Sequence, residues 1–354
     1  MPNHTSYIDL ELLGIGLRLT SEQKDLLDFI KLITGLSTVE NVDSDPSIYV
    51  NFGFNKLIQI PTQYNKISRN ICLGDSSILI TEIPHFPGLS LKVKIRDSKL
   101  YIDAYFSEKR VSFIKNLLSN SLNLQKHKSY KSLAFTYHLV YFPLLYYIER
   151  FSNLFLLHAS AFEYDQYAII LSGLGGIGKS TFSLAALFLE GSKLLSDNLL
   201  FHDAQNIYSF PEPIALDRNS YAMLGEIKEI LIPCEIASTH DRIYYHITPE
   251  NRSHRATPKY LFWLQSGSEN RLIPIETQEC INHLLNINLL ANELRQYYVL
   301  AATFDLAFPK LLSPNSYSKS LSCLLKNIDC YILQFKLGDD IRDIFSDSGV
   351  NVIL

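Results

Sequence analysis

The spacing of apolar residues divides this 354-residue chain into a strand-rich first third, a helical bridge and a mixed remainder. Residues 8–19, IDLELLGIGLRL, read as one strand, and Thr20 with Gln23 forms an expected capping box for a helix reaching about residue 33. Short β-branched or aromatic runs then recur near residues 48–54, 57–60, 77–83, 89–95 and 100–106, separated by Pro, Gly, Asn or Asp, and IRDSKLY reads as a hairpin turn. Over residues 111–150 the period lengthens to that of a helix, which Pro143 is expected to kink or restart. Strands are expected at 154–162 and 167–171, joined as a hairpin by EYDQ and running into a glycine-rich loop. A helix at 181–190 stopped by Gly191 follows, then a strand region at 193–201. Further strands at 242–247, 260–265, 271–275 and 331–335 alternate with helices near 278–290, 293–302 and 318–326. The class is α/β, and the length favours two domains: an N-terminal α+β domain over residues 1–130 and a second over 131–354.

Composition narrows the function classes. At 47% hydrophobic and 19% charged residues, long disorder is not expected. Five cysteines (Cys72, Cys234, Cys280, Cys323 and Cys330) are odd in number and never spaced Cys-x-x-Cys, which argues against a disulfide framework or a zinc site and for a cytoplasmic setting. No signal peptide or membrane span is expected, because the N-terminus carries Asp9 and Glu11 and the apolar stretch 133–157 is interrupted by His138, Glu149 and Arg150. Residues 1–50, 51–150 and 151–354 carry net charges of −5, +8 and −7. With no nucleic-acid motif beside it, the basic middle reads as a solvated face, not a nucleic-acid surface.

The candidate chemistry lies in ILSGLGGIGKST, residues 170–181, which holds four of the chain's 15 glycines within six positions. Gly173, Gly178, Lys179 and Ser180 occupy the fixed positions of Gly-x-x-x-x-Gly-Lys-Ser, the loop that wraps nucleotide phosphates. Amide groups from Leu174 through Ile177 to Thr181 can turn inward only where side chains do not obstruct, so Gly175 and Gly176 matter as well. Lys179 is expected to neutralise phosphate charge and to face solvent in the empty loop, and the Ser180 hydroxyl to ligate Mg²⁺. No guanine-specificity motif follows the loop. Asp197, expected at the end of an apolar strand beside the loop, is the candidate carboxylate: it can accept a hydroxyl proton or help hold Mg²⁺.

The segment from His158 to Asn198 resembles the catalytic core of the HPr kinase/phosphorylase family and its relatives with a phosphoenolpyruvate-carboxykinase-like fold. His158-Ala159, the glycine loop and Ser196-Asp197-Asn198 stand in the family's order, where the last segment has paired aspartates. The resemblance implies a P-loop kinase domain that uses ATP and Mg²⁺ to phosphorylate a hydroxyl, usually a serine of a protein or peptide. It also implies a catalytic role for His158 near the transferred phosphate. Asn198 departs from the pattern and argues against phosphorylase activity, while the missing Pro-Gly-Arg-Asn stretch and the lack of the family's usual N-terminal domain point to a divergent kinase relative. Arg218 and the cluster Arg252, His254 and Arg255 are further candidates for binding phosphate or acceptor, with ordinary surface positions as the alternative. The N-terminal domain is left for acceptor recognition or for subunit contacts in a homo-oligomer. Transfer to a small-molecule hydroxyl, or ATP binding without catalysis in a regulatory module, are the competing functions.

Overall fold

A computed structural model describes residues 5–38, 45–54, 58–84, 86–107, 131–234, 242–309 and 316–350. The chain is mixed α/β and divides into two compact units. One comprises Met1–Ser152 with Gln296–Leu312, the other Asn153–Arg295 with Ser313–Leu354. The division thus falls at Ser152 and not near residue 130, and the first unit reclaims a later segment.

The first unit is built on strands β1 (Ser6–Leu12), β2 (Ile15–Ser21), β3 (Ser37–Thr38), β4 (Ile48–Phe54), β5 (Asn65–Lys66), β6 (Ile71–Gly74), β7 (Ser77–Ile80), β8 (Leu89–Arg96) and β9 (Lys99–Phe106). They form one sheet in the order β3-β1-β2-β4-β9-β8-β7-β6-β5. The single strand expected over 8–19 is a hairpin, because Leu13 and Gly14 both take positive φ, 53° and 77°, and reverse the chain. The capping box does not form: Thr20 stays in β2, and the helix Lys24–Thr34 begins after Gln23, whose side chain makes no capping bond. Residues 58–60 form no strand, while residue 57 and the helix expected over 111–130 lie outside the described residues.

The helical bridge is helical from residue 131 and contains a π-helical turn, Tyr137–Tyr141, directly before the helix Phe142–Phe151. Pro143 has no N–H to donate and its ring would crowd the carbonyl four residues back, and a widened turn accommodates both. This helix is buried on all sides from Phe142 to Glu149. Its polar groups are matched within the unit: Tyr146 donates to Asp305 at 3.1 Å, Arg150 pairs with Asp305 at 2.8 Å, and Tyr297 donates to Glu149.

The second unit holds strands β10 (Phe155–Leu157), β11 (Ser160–Tyr164), β12 (Tyr167–Ser172), β13 (Lys193–Ser196), β14 (Leu200–His202), β15 (Ile207–Ser209), β16 (Ile214–Leu216), β17 (Leu231–Cys234), β18 (Ile243–Ile247), β19 (Arg255–Ser266), β20 (Arg271–Pro274) and β21 (Asp329–Phe335). The main sheet runs β10-β14-β15-β19-β12-β11-β13, with β21 pairing β19 and β20, and β16-β18-β17 form a separate sheet. The long strand β19 pairs parallel with both β12 and β21, so it is covered by apolar residues on both faces. The expected strand 154–162 is interrupted at His158-Ala159, and the region 193–201 at Asp197-Asn198-Leu199. Both interruptions face the glycine loop's cavity. The β11–β12 hairpin turns through Asp165 and Gln166, both at positive φ.

Candidate functional site

β12 ends at Ser172 and the chain enters the loop at Gly173, where a Cβ would stand 2.9 Å from the Leu264 carbonyl oxygen of β19. Its φ of +147° is likewise one that side chains avoid. Gly176 and Gly178 also take positive φ, while a Cβ on Gly175 or Gly176 would meet nothing and would project into open space. The helix Lys179–Ala185 starts immediately after the loop and ends sooner than expected, in a 3₁₀ turn followed by Gly191 at φ +81°. Its inner face places Phe182 against Phe335 at 4.8 Å between ring centroids, which fixes the loop's exit to the core.

A cavity of about 440 Å³ opens over this loop. Gly175, Gly176, Gly178, Lys179, Ser180 and Thr181 line one side, and His158, Asp197 and Asn198 another. Of the remaining loop residues, Gly173 packs under β19, Leu174 is exposed, and Ile177 packs against the core. Lys179 departs from expectation: it is buried, its Nζ donating to the carbonyls of Gly173 at 2.9 Å and Leu174 at 3.3 Å. A buried ammonium must be hydrogen-bonded, and the loop's own carbonyls are the acceptors within reach.

Asp197 sits at the end of β13, which pairs with β11 and lies two strands from β12, so its strand is not the loop's neighbour. The carboxylate reaches the cavity because Ser160 of β11 donates its hydroxyl to the Asp197 carbonyl, and Ser196 bonds to Leu199 and Phe210 around the turn. Burial pushes the Asp197 carboxyl above the usual carboxylate range, opposed by the Ser180 hydroxyl and the charges of Lys179 and Arg242. Its Oδ1 is buried without a hydrogen-bond partner among the described residues.

His158 is buried in the break between β10 and β11. Asn288 holds the break open: its Oδ1 accepts from the His158 N–H at 2.8 Å, and its Nδ2 donates to the Leu156 carbonyl at 3.0 Å and to the Tyr317 hydroxyl. Burial, followed by the nearby Lys179 charge, lowers the imidazole pKa to about 3, with a weaker opposing hydrogen bond at the Asn198 backbone. The ring is therefore neutral at physiological pH, and its Nδ1 has no partner among the described residues.

Several cavity residues carried no clear sequence signal. Arg242 lines the cavity just before β18, and Asp217 and Ser220 line it from the short helix after β16, where the Ser220 N–H donates to Asp217 at 2.8 Å. The Asp-x-x-Ser spacing is a capping signature that could have drawn attention to the pair. Ile287, Leu290 and Ala291 give an apolar wall, with Asn292 beside them. Asn198 donates its amide to the buried Glu212 at 3.1 Å. By contrast Arg218, Arg252, His254 and Arg255 do not line this cavity; Arg218 and His254 are exposed, and Arg255 stacks over Tyr208.

The donor set suits a hard cation that keeps its own water: one hydroxyl, Ser180, and one carboxylate with an unpartnered oxygen, Asp197. No group of three or more His, Cys, Asp or Glu able to hold a metal ion occurs among the described residues. Among those residues, too, no helix is long and apolar enough to cross a membrane.

No family model and no curated protein matches the chain. Among solved structures it shows a weak similarity to the HPr(Ser) kinase/phosphatase from Coxiella burnetii, at 16% identity and a TM-score of 0.21, covering 32% of this chain and 66%, just under two thirds, of that one.

Proposed function

We propose that the protein is an ATP-dependent kinase that phosphorylates a hydroxyl, most readily a serine of a protein or peptide. The observation that carries the reading is one cavity lined at once by Gly175, Gly176 and Gly178 of the loop, by Lys179, Ser180 and Thr181, and by the buried carboxylate of Asp197. The loop amides and the first turn of the helix it opens bind phosphate oxygens. Lys179 exchanges its carbonyl partners for phosphate, a charge-assisted bond stronger than the ones it gives up. Ser180 and Asp197 are the residues to hold Mg²⁺, which when bound supplies neutralisation of the charge on the transferred group. Asp197 accepts the acceptor hydroxyl's proton as that oxygen bonds to the γ-phosphorus; the bond from phosphorus to the bridging oxygen breaks, and ADP leaves. Neutral His158 donates its ring N–H to an oxygen of the phosphoryl group, and Arg242 offsets its charge.

The test incubates the full chain with γ-labelled ATP, Mg²⁺ and an extract of its source cells. Label entering a protein or peptide, and lost with Asp197→Asn, is the expected result. Label in a small molecule would move the reading to the competing acceptor class. Tight nucleotide binding with no label transferred would leave a regulatory module. The assignment of residues up to about 130 to acceptor recognition or subunit contacts belongs to the same proposal. It now extends over the first compact unit.

A further inference from the structure

A second cavity, of about 290 Å³, lies wholly within the first unit and shares no residue with the one over the glycine loop. Ile71, Ile80, Ile83, Val299 and Leu300 make its walls apolar. On one side it is bounded by the π-helical turn, whose His138 bonds to the Ala134 carbonyl at 2.8 Å and packs its ring against Phe86 and Phe142.

Two opposite charges complete the lining. Arg69 stands in the bend before β6, and Glu82 in the segment after β7. The Thr81 N–H donates to the Asn70 carbonyl at 2.8 Å, so the two charged residues flank one cross-strand pair. Despite this proximity they do not pair with each other, and neither has an ion-pair partner among the described residues. A guanidinium and a carboxylate held near each other but out of contact, beside an apolar cavity, are complementary to a small zwitterion with an apolar body.

We propose that this cavity binds a free apolar α-amino acid. Its carboxylate pairs with Arg69, its ammonium with Glu82, and its side chain enters between Ile80 and Leu300. The volume accommodates a side chain of the size of leucine. With about nine non-hydrogen atoms, an exposed Arg69 and a half-exposed Glu82, affinity should be modest, with a Kd on the order of 0.1–1 mM.

Calorimetry and thermal shift on the full-length protein with L-leucine test this. Saturable binding in that range is expected, with Tm rising at about 10 mM ligand. Arg69→Gln and Glu82→Gln each remove one charge at a site outside the packed core and should weaken binding about tenfold, while Val299→Trp should block the cavity mouth and abolish it. L-leucinamide, which lacks the carboxylate, stands in for a peptide N-terminus, and N-acetyl-L-leucine, which lacks the ammonium, for a C-terminus. Both should bind at least about tenfold more weakly than leucine. Absence of binding at about 10 mM leucine, equal affinity for either derivative, or leucine binding unchanged by Val299→Trp would each overturn the proposal.

Discussion

Asp197 carries a buried carboxylate oxygen with no donor among the described residues, an arrangement costly to the fold and useful only if something else meets that oxygen. Asp197→Asn keeps shape but removes the charge. In metal-free protein the variant should therefore melt at a higher temperature than the parent, while phosphoryl transfer falls by ~10²- to 10⁴-fold and nucleotide affinity changes little. Differential scanning calorimetry and single-turnover transfer on the same sample check both halves, and an unchanged rate would remove Asp197 from the mechanism. Lys179→Ala is expected to abolish transfer and weaken nucleotide binding. Because the ammonium serves loop carbonyls in the free protein, the loop itself should also loosen, visible as faster amide exchange at residues 173–178. Asn198→Asp would set a second carboxylate against Glu212 at the present 3.1 Å contact. The paired change Asn198→Asp with Glu212→Gln preserves that hydrogen bond with its polarity reversed, and should be the better tolerated of the two.

At the scale of elements, the loop depends on how closely β12 and β19 approach. A Cβ at residue 173 would collide with the Leu264 carbonyl in a backbone region that costs side chains about 1–3 kcal/mol, so Gly173→Ala should move the loop's first residue and weaken nucleotide binding without unfolding the sheet. Isothermal titration with an ATP analogue reads this directly. The break that exposes His158 is maintained by one side chain, Asn288, which satisfies backbone groups on both sides of it. Asn288→Leu leaves the buried His158 N–H without its Oδ1 acceptor, with an expected loss of about 1–3 kcal/mol in urea unfolding. A loss near zero would mean that this N–H finds another partner.

At the scale of the whole molecule, acid sensitivity follows in part from a histidine that does not line the glycine-loop cavity. His202 of β14 is fully buried, both ring nitrogens lack partners among the described residues, and burial lowers its pKa from 6.5 to about 4. Above pH 6.5 the ring is neutral in folded and unfolded chains alike, and stability is undiminished. As pH falls from there towards 4, the unfolded chain takes a proton that the folded one resists, so stability declines by up to roughly 3 kcal/mol. Urea midpoints between pH 7 and pH 4 should show this decline, and His202→Leu should lessen it, leaving the part contributed by His158, whose pKa burial also depresses. The two-unit organisation carries a second expectation. A chain beginning at Lys131 would keep the buried helix Phe142–Phe151 and the segment Gln296–Leu312 but lose the sheet of their own unit. It should aggregate on expression, and well-dispersed amide resonances from such a chain would refute the expectation.

Much of the candidate site was legible locally. The glycine loop, the strand before it, the helix after it and the β11–β12 hairpin follow from turn residues and periodicity within about thirty positions of sequence. These depend on backbone sterics and on which face of a short element is apolar, both of which neighbouring residues decide. The hairpin at Leu13-Gly14 was missed because a leucine rarely takes positive φ, and only pairing of β1 with β2 makes it do so. Arg242, Asp217, Ser220 and Asn288 were not legible as a group. They come from three separate segments, and what unites them is the sheet order and the turns of β16 to β18. The buried state of Lys179, the unpartnered Asp197 oxygen and the juxtaposition of Arg69 with Glu82 are likewise tertiary facts. Local sequence determined where the chain makes its glycine-rich turn between β12 and the helix after it; long-range packing decided which charges face one another there, because desolvation and distance arise only once distant segments meet.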